Sequence, residues 1–157
     1  MSTLQLIRRA AAATCGAFVL FSAVAWQNAL AQSGLPIRDI RVDVSPLRVA
    51  SGDPTAAWVQ QELPDQLAKA MADRMTAKGG TLVVRIDYVA FGPIKDSWAW
   101  DNIGGVATIG GVRQPVRATT RHQSSPIDQT MIEQSNHTRV SQLTQALAYW
   151  IAQGAFF

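Results

Sequence analysis

Leu63, Leu67, Met71 and Met75 recur at every fourth residue, and this stripe constrains the fold more than any other feature of the chain. Residues at that spacing stack on one side of an α-helix, so the stripe is a single apolar face that must be buried against another layer. Ala68, Ala70 and Ala72 favour the helical state, while Gln66, Lys69, Asp73 and Arg74 occupy the wet side. Asp53 is placed to cap a helix that opens at Pro54. Lys78 suits the negative end of the helix dipole, and Gly79 and Gly80 are expected to stop the helix there. Pro64 lacks an amide donor and crowds the preceding turn. Either the helix kinks at Pro64, or a short turn around Trp58 ends and the main helix begins at Pro64.

The layer that this face requires is legible on either side of it. Residues 81–91 alternate, with Leu82, Val84, Ile86 and Tyr88 on one face and Val83, Val89 and Phe91 on the other, where Arg85 and Asp87 interrupt. A strand that is apolar on both sides belongs in the middle of a sheet. Upstream, Ile40, Val42 and Val44 alternate with Arg41 and Asp43 in a half-buried strand closed by Ser45 and Pro46. Downstream, residues 92–115 carry many glycines and predict one short strand, at either 98–100 or 106–109. Residues 116–122 alternate again and are broken by Ser124, Ser125 and Pro126. Val140, Leu143, Leu147, Trp150 and Ile151 form a second helical stripe, capped by Ser135 or Asn136 and closed by Gly154. The order predicts an α+β fold: a small antiparallel or mixed sheet of three to four strands with two helices packed on one face.

Residues 1–31 have a different character. Arg8 and Arg9 precede an apolar run from residue 10 to 25, and Ala29 and Ala31 stand where a signal peptidase reads small residues. The run is too short for a comfortable bilayer span, which takes about 20 apolar residues. The expectation is a cleaved secretory signal over 1–31, a single small α+β domain over 32–157, and a periplasmic or secreted location with no stable membrane anchor after cleavage. The only cysteine, Cys15, lies inside the apolar run without the flanks of a lipoprotein signal. The remaining domain then has no disulfide, no thiol nucleophile and no cysteine-held metal, and its core must do the stabilising. Cleavage also removes two of the fourteen cationic residues and none of the eleven acidic ones, leaving a net charge near neutrality. No nucleic-acid partner is expected from that balance.

Chemistry-bearing motifs are sparse. Gly105 and Gly110 have the separation of a phosphate loop, but Gly111 and Val112 stand where its Lys and Ser or Thr would be, so 104–111 reads as a hairpin or bulge. His122 and His137 share no metal-ligand spacing, and Glu133, four residues before His137, gives no third ligand. No serine has the turn that exposes a nucleophile, and Asp39 and Asp43 alternate with Arg38 and Arg41 as a balanced solvent face. No catalytic residue, metal or cofactor is expected. Trp98 and Trp100, two apart, project from the same side of a strand and with Tyr88 and Phe91 predict an aromatic patch for a ligand or a partner protein.

The element order resembles that of the small α/β accessory domains of bacterial envelope-assembly systems. That resemblance, with the leader and the missing site chemistry, implies an exported, non-enzymatic accessory protein of the cell envelope that contacts an envelope protein partner. The alternatives are an exported small-ligand binder using Tyr88, Phe91, Trp98 and Trp100, and a hydrolase whose dispersed residues include Asp101, His122 and His137.

Overall fold

A computed structural model describes residues 35–51, 53–93, 98–123 and 131–154. The leader with Cys15, Gly52, the Asp53 side chain and the expected break at 124–126 fall outside them. The elements run β1 (Ile37–Asp43), α1 (Ser45–Ser51), α2 (Asp53–Ala70), a 3-10 turn (Ala72–Arg74), β2 (Gly80–Ala90), β3 (Trp98–Ile109), β4 (Val112–Gln123) and α3 (Ile132–Gln153). The four strands form one mixed sheet in the order β1-β2-β3-β4. β1 and β2 are parallel, the other neighbours antiparallel. A parallel pair needs a crossover, which α1 and α2 provide.

The architecture is the expected α+β layering, with β2 inside the sheet as its two apolar faces require. The two long helices pack on each other and on the same face of the sheet. Leu63, Leu67 and Met71 of the first stripe, and Val140, Leu143, Leu147 and Ile151 of the second, meet Leu82, Val84, Ile86, Ile103 and Ala107 in one core.

Several boundaries differ from the sequence reading. β1 ends at Asp43, ahead of Ser45 and Pro46, and those two residues also open α1, because proline is tolerated in a first turn and the Ser45 amide donates to Asp43 Oδ1 at 2.9 Å. α2 runs from Asp53 through Pro64 as one continuous helix, so the main helix does not begin at Pro64. It ends at Ala70, well before Gly79, and Met71 and Met75 complete the stripe from a 3-10 turn and a bridge to Ile37. Edge pairing with β1 thus outcompetes the last two helical turns. α3 starts before Ser135 and Asn136, which lie within the helix and not at its cap. Gly154 closes it in the left-handed conformation, with φ 65°.

The glycine-rich stretch forms one long strand in place of one of two short ones. Residues 98–109 pair continuously with β4, and Ile109 faces Val112 across the two-residue turn Gly110–Gly111, whose φ values are 56° and 82°. Two consecutive positive φ angles make the hairpin turn that matches strand twist, and glycine adopts them without strain.

Candidate functional site

The described helices lie on one side of the sheet, and among the described residues the other side is open. Alternation delivers Trp98, Trp100, Asn102, Val106 and Thr108 of β3 to this open face, beside Arg113, Arg117, Thr119 and Arg121 of β4. Trp98 is 55% exposed and Trp100 57%. Two indoles with more than half their surface in water are unusual, since large aromatics are buried on average. The Arg121 guanidinium lies 4.2 Å from the Trp98 ring centre and 5.7 Å from that of Trp100. It is stacked against the indoles on the solvent side.

Tyr88 reaches the same face by a route the alternation did not give. The register shifts between Ile86 and Tyr88, leaving Asp87 as an extra residue, so Tyr88 turns outward and Val89 turns into the core. Such a bulge reverses the phase of every residue after it. Tyr88 then lies over Gly104, where an added Cβ would come within 2.6 Å of the phenol oxygen. Gly104 is four residues along β3 from Trp100, about 13 Å at strand rise. Phe91 goes the other way: half-buried against the core, it lies under the Arg139 guanidinium at 4.6 Å. The structure therefore brings Trp98 and Trp100 together, sets Tyr88 on the same face at a distance, and removes Phe91 to the helix side.

Charge is divided unevenly over this face. On the β1–β2 half, Arg41 pairs with Asp39 at 2.9 Å and Arg85 with Asp87 at 2.7 Å. Asp87 holds the Arg85 pKa above its ordinary value, and the Ser45 amide holds the Asp43 carboxyl below the usual carboxylate range. On the β3–β4 half, Arg117 donates to Asn102 Oδ1 at 2.8 Å and Arg121 stacks on tryptophan. Among the described residues, Arg113, Arg117 and Arg121 form no ion pair. One half of the open face is self-neutralised and the other is a row of guanidinium groups beside two indoles.

A second polar cluster was not foreseen from the sequence. Asp101 is fully buried on the core side of β3 and receives Arg139 Nε at 2.8 Å, Arg139 Nη2, and the Gly92 amide at 2.8 Å. Arg139 Nη2 also donates to the Gly92 carbonyl at 2.8 Å. His122 Nδ1 stands 3.2 Å from Asp101 Oδ2 but is not aligned as a hydrogen bond. The signal in the sequence was Arg139 itself, one turn before Leu143 on the apolar stripe, opposite an acid in alternation with Ala99 and Ile103. Each Asp101 oxygen is already used in tying β3, α3 and the strand end at Gly92 together, which is the work of a structural clamp.

His137 lies elsewhere, with Nε2 2.8 Å from Glu62 Oε1 and its ring beside Trp58, so its acidic neighbour is Glu62 and not Glu133. Among the described residues no cluster of metal-ligating side chains occurs, and no helix is long and apolar enough to cross a membrane.

No protein-family model matches the chain, and no curated protein matches it. Among solved structures, the chain is similar to an uncharacterized protein at 10% identity, covering 75% of this chain and 92% of that one, with a TM-score of 0.47. A minor lipoprotein from Acinetobacter baumannii is similar at 10% identity, over 76% of this chain and 95% of that one, with a TM-score of 0.44. The rare lipoprotein B from Shewanella oneidensis is similar at 10% identity, over 74% and 92%, with a TM-score of 0.45. At these values the likeness is one of general chain trace and assigns no role to any residue above.

Proposed function

We propose that this chain is an exported, non-enzymatic accessory protein of the cell envelope that holds a partner protein against the open face of its sheet. One observation carries the reading: Trp98 and Trp100, both more than half exposed, flank the Arg121 guanidinium on a face that none of the described helices covers. Tryptophan and arginine are the residues most enriched where interfaces concentrate their binding energy. The leader-like residues 1–31 supply the export part of the reading. Small-molecule sites are concave and enclose most of their ligand, whereas these indoles stand out from the sheet surface, which favours a protein contact over a small ligand.

The test is in-cell cross-linking followed by recovery of the tagged protein from the envelope fraction. The reading expects one reproducible envelope protein, lost when Trp98→Ser and Trp100→Ser are combined. Recovery of the protein alone, in the soluble fraction, would sink it.

A further inference from the structure

Among the described residues, β4 is a twelve-residue strand at the edge of the sheet. Alternate residues of an edge strand present amide and carbonyl groups with no neighbour in the sheet, a template for pairing that proteins normally blunt with proline or charge. Pro115 blunts β4 only near its start, beside the Gly110–Gly111 turn. Beyond it the edge faces a groove. A hollow of about 350 Å³ is lined by residues 117–119 and Trp150, and another of about 480 Å³ by Thr120, Arg121 and a face of α3. That face is Gln142, Gln145, Ala146, Tyr149 and Trp150, the spacing of one helical stripe. Trp150 borders both hollows, so they adjoin. Successive residues of a strand point to opposite sides of the sheet, so hollows that together touch five in a row follow the strand's backbone edge and not either face. An edge strand walled by a helix is the geometry in which a sheet accepts an extended peptide as an additional strand.

The charge around the groove specifies the occupant. β4 has three arginines, at every fourth position of its open-face side, and no acid; the only acid of α3 is Glu133, in its first turn. Arg117 and Arg121 line the groove from β4, their guanidinium groups resting on Asn102 and Trp98 of β3, from which a carboxylate at the free edge would draw them outward. Carboxylates at every fourth residue of an added strand would meet guanidinium groups of the same repeat, about 13 Å apart at strand rise.

We infer that the β4 edge and the facing side of α3 form a strand-addition groove for an extended, acidic segment of the partner protein. This rests on the docking reading above and names the partner's chemistry. Blunting alone accounts for the arginines and Pro115, but not for a groove walled by Tyr149 and Trp150.

The test uses the protein purified after expression of the full chain, labelled for amide NMR. The probe is an acetylated octapeptide of alternating valine and threonine with glutamate at its first and fifth positions. Saturable shifts are expected at the amides of residues 116–122 and 142–150. N-methylating alternate peptide bonds of the probe should weaken binding by at least about tenfold, as loss of one or two hydrogen bonds does. Combining Arg117→Glu with Arg121→Glu should weaken it as much, and both side chains are exposed, so the fold is retained. Equal binding of the N-methylated probe would overturn strand addition while leaving docking on the open face intact. Absence of shifts with the probe would overturn the groove, as would the same shifts produced only by phosphatidylglycerol vesicles or by self-association of the protein.

Discussion

Arg139→Leu is the substitution that most sharply separates a structural clamp from a catalytic site. Arg139 gives Asp101 both of its strong contacts, reaches the Gly92 carbonyl at 2.8 Å and Asn136 Oδ1 at 3.4 Å, and covers the Phe91 ring at 4.6 Å. Its removal leaves a fully buried carboxylate with the Gly92 amide and the oblique His122 as its remaining company. Breaking a buried pair from one side costs about 3–5 kcal/mol, because the surviving charge keeps its desolvation penalty. For a domain of this size that corresponds to a fall in melting temperature of roughly 10–20 °C. Replacing both partners, Asp101→Leu with Arg139→Leu, removes the uncompensated charge and should recover at least half of the loss. Urea unfolding followed by far-UV circular dichroism measures all four corners of the cycle. A single variant within about 1 kcal/mol of the parent, or a double variant as costly as the two singles together, would refute the clamp.

Four further outcomes are expected. Asp43 has a lowered pKa because its carboxylate accepts the Ser45 amide, so its contribution is present above the ordinary carboxylate pKa and lost as pH falls through its own lower value. Asp43→Ala should therefore cost about 0.5–1 kcal/mol near neutrality, a cost that shrinks as pH falls below the ordinary carboxylate range in acid-range unfolding curves. Gly105→Ala would bring a Cβ within 1.8 Å of the Arg85 carbonyl oxygen, so strands β2 and β3 must part; a loss of at least about 2 kcal/mol is expected by urea unfolding. Pro64→Ala restores an amide donor inside α2 and should raise stability by about 1 kcal/mol or more, read as a higher urea midpoint. Trp98→Ser combined with Trp100→Ser should leave stability within about 1 kcal/mol, measured by the same curves, since both indoles are mostly in water.

The layered fold was readable because its two periods are unambiguous. A four-residue stripe and an alternating strand each demand a second layer, and together they satisfy one another. What the sequence did not disclose depended on pairing between distant segments. The end of α2 at Ala70 is decided by Met75 bridging to Ile37, a contact 38 residues away that no helical propensity contains. The bulge at Asp87 reversed the side on which Tyr88 and Phe91 emerge, and with it the composition of the aromatic patch. Trp98 and Trp100 kept their common face because no irregularity falls between them. The Asp101–Arg139 pair lay hidden for a similar reason: each was visible as a charge in an apolar position, but their meeting depends on how α3 crosses β3.

The most direct test of docking through the open face is site-specific photo-cross-linking in cells, with the reactive residue placed at Trp100 and, as a control, at Val49, which is 90% exposed on α1. Docking on the open face predicts a discrete adduct with one protein from position 100 and none from position 49. An adduct from position 49 alone, or no adduct from position 100 while the protein remains folded, would contradict it.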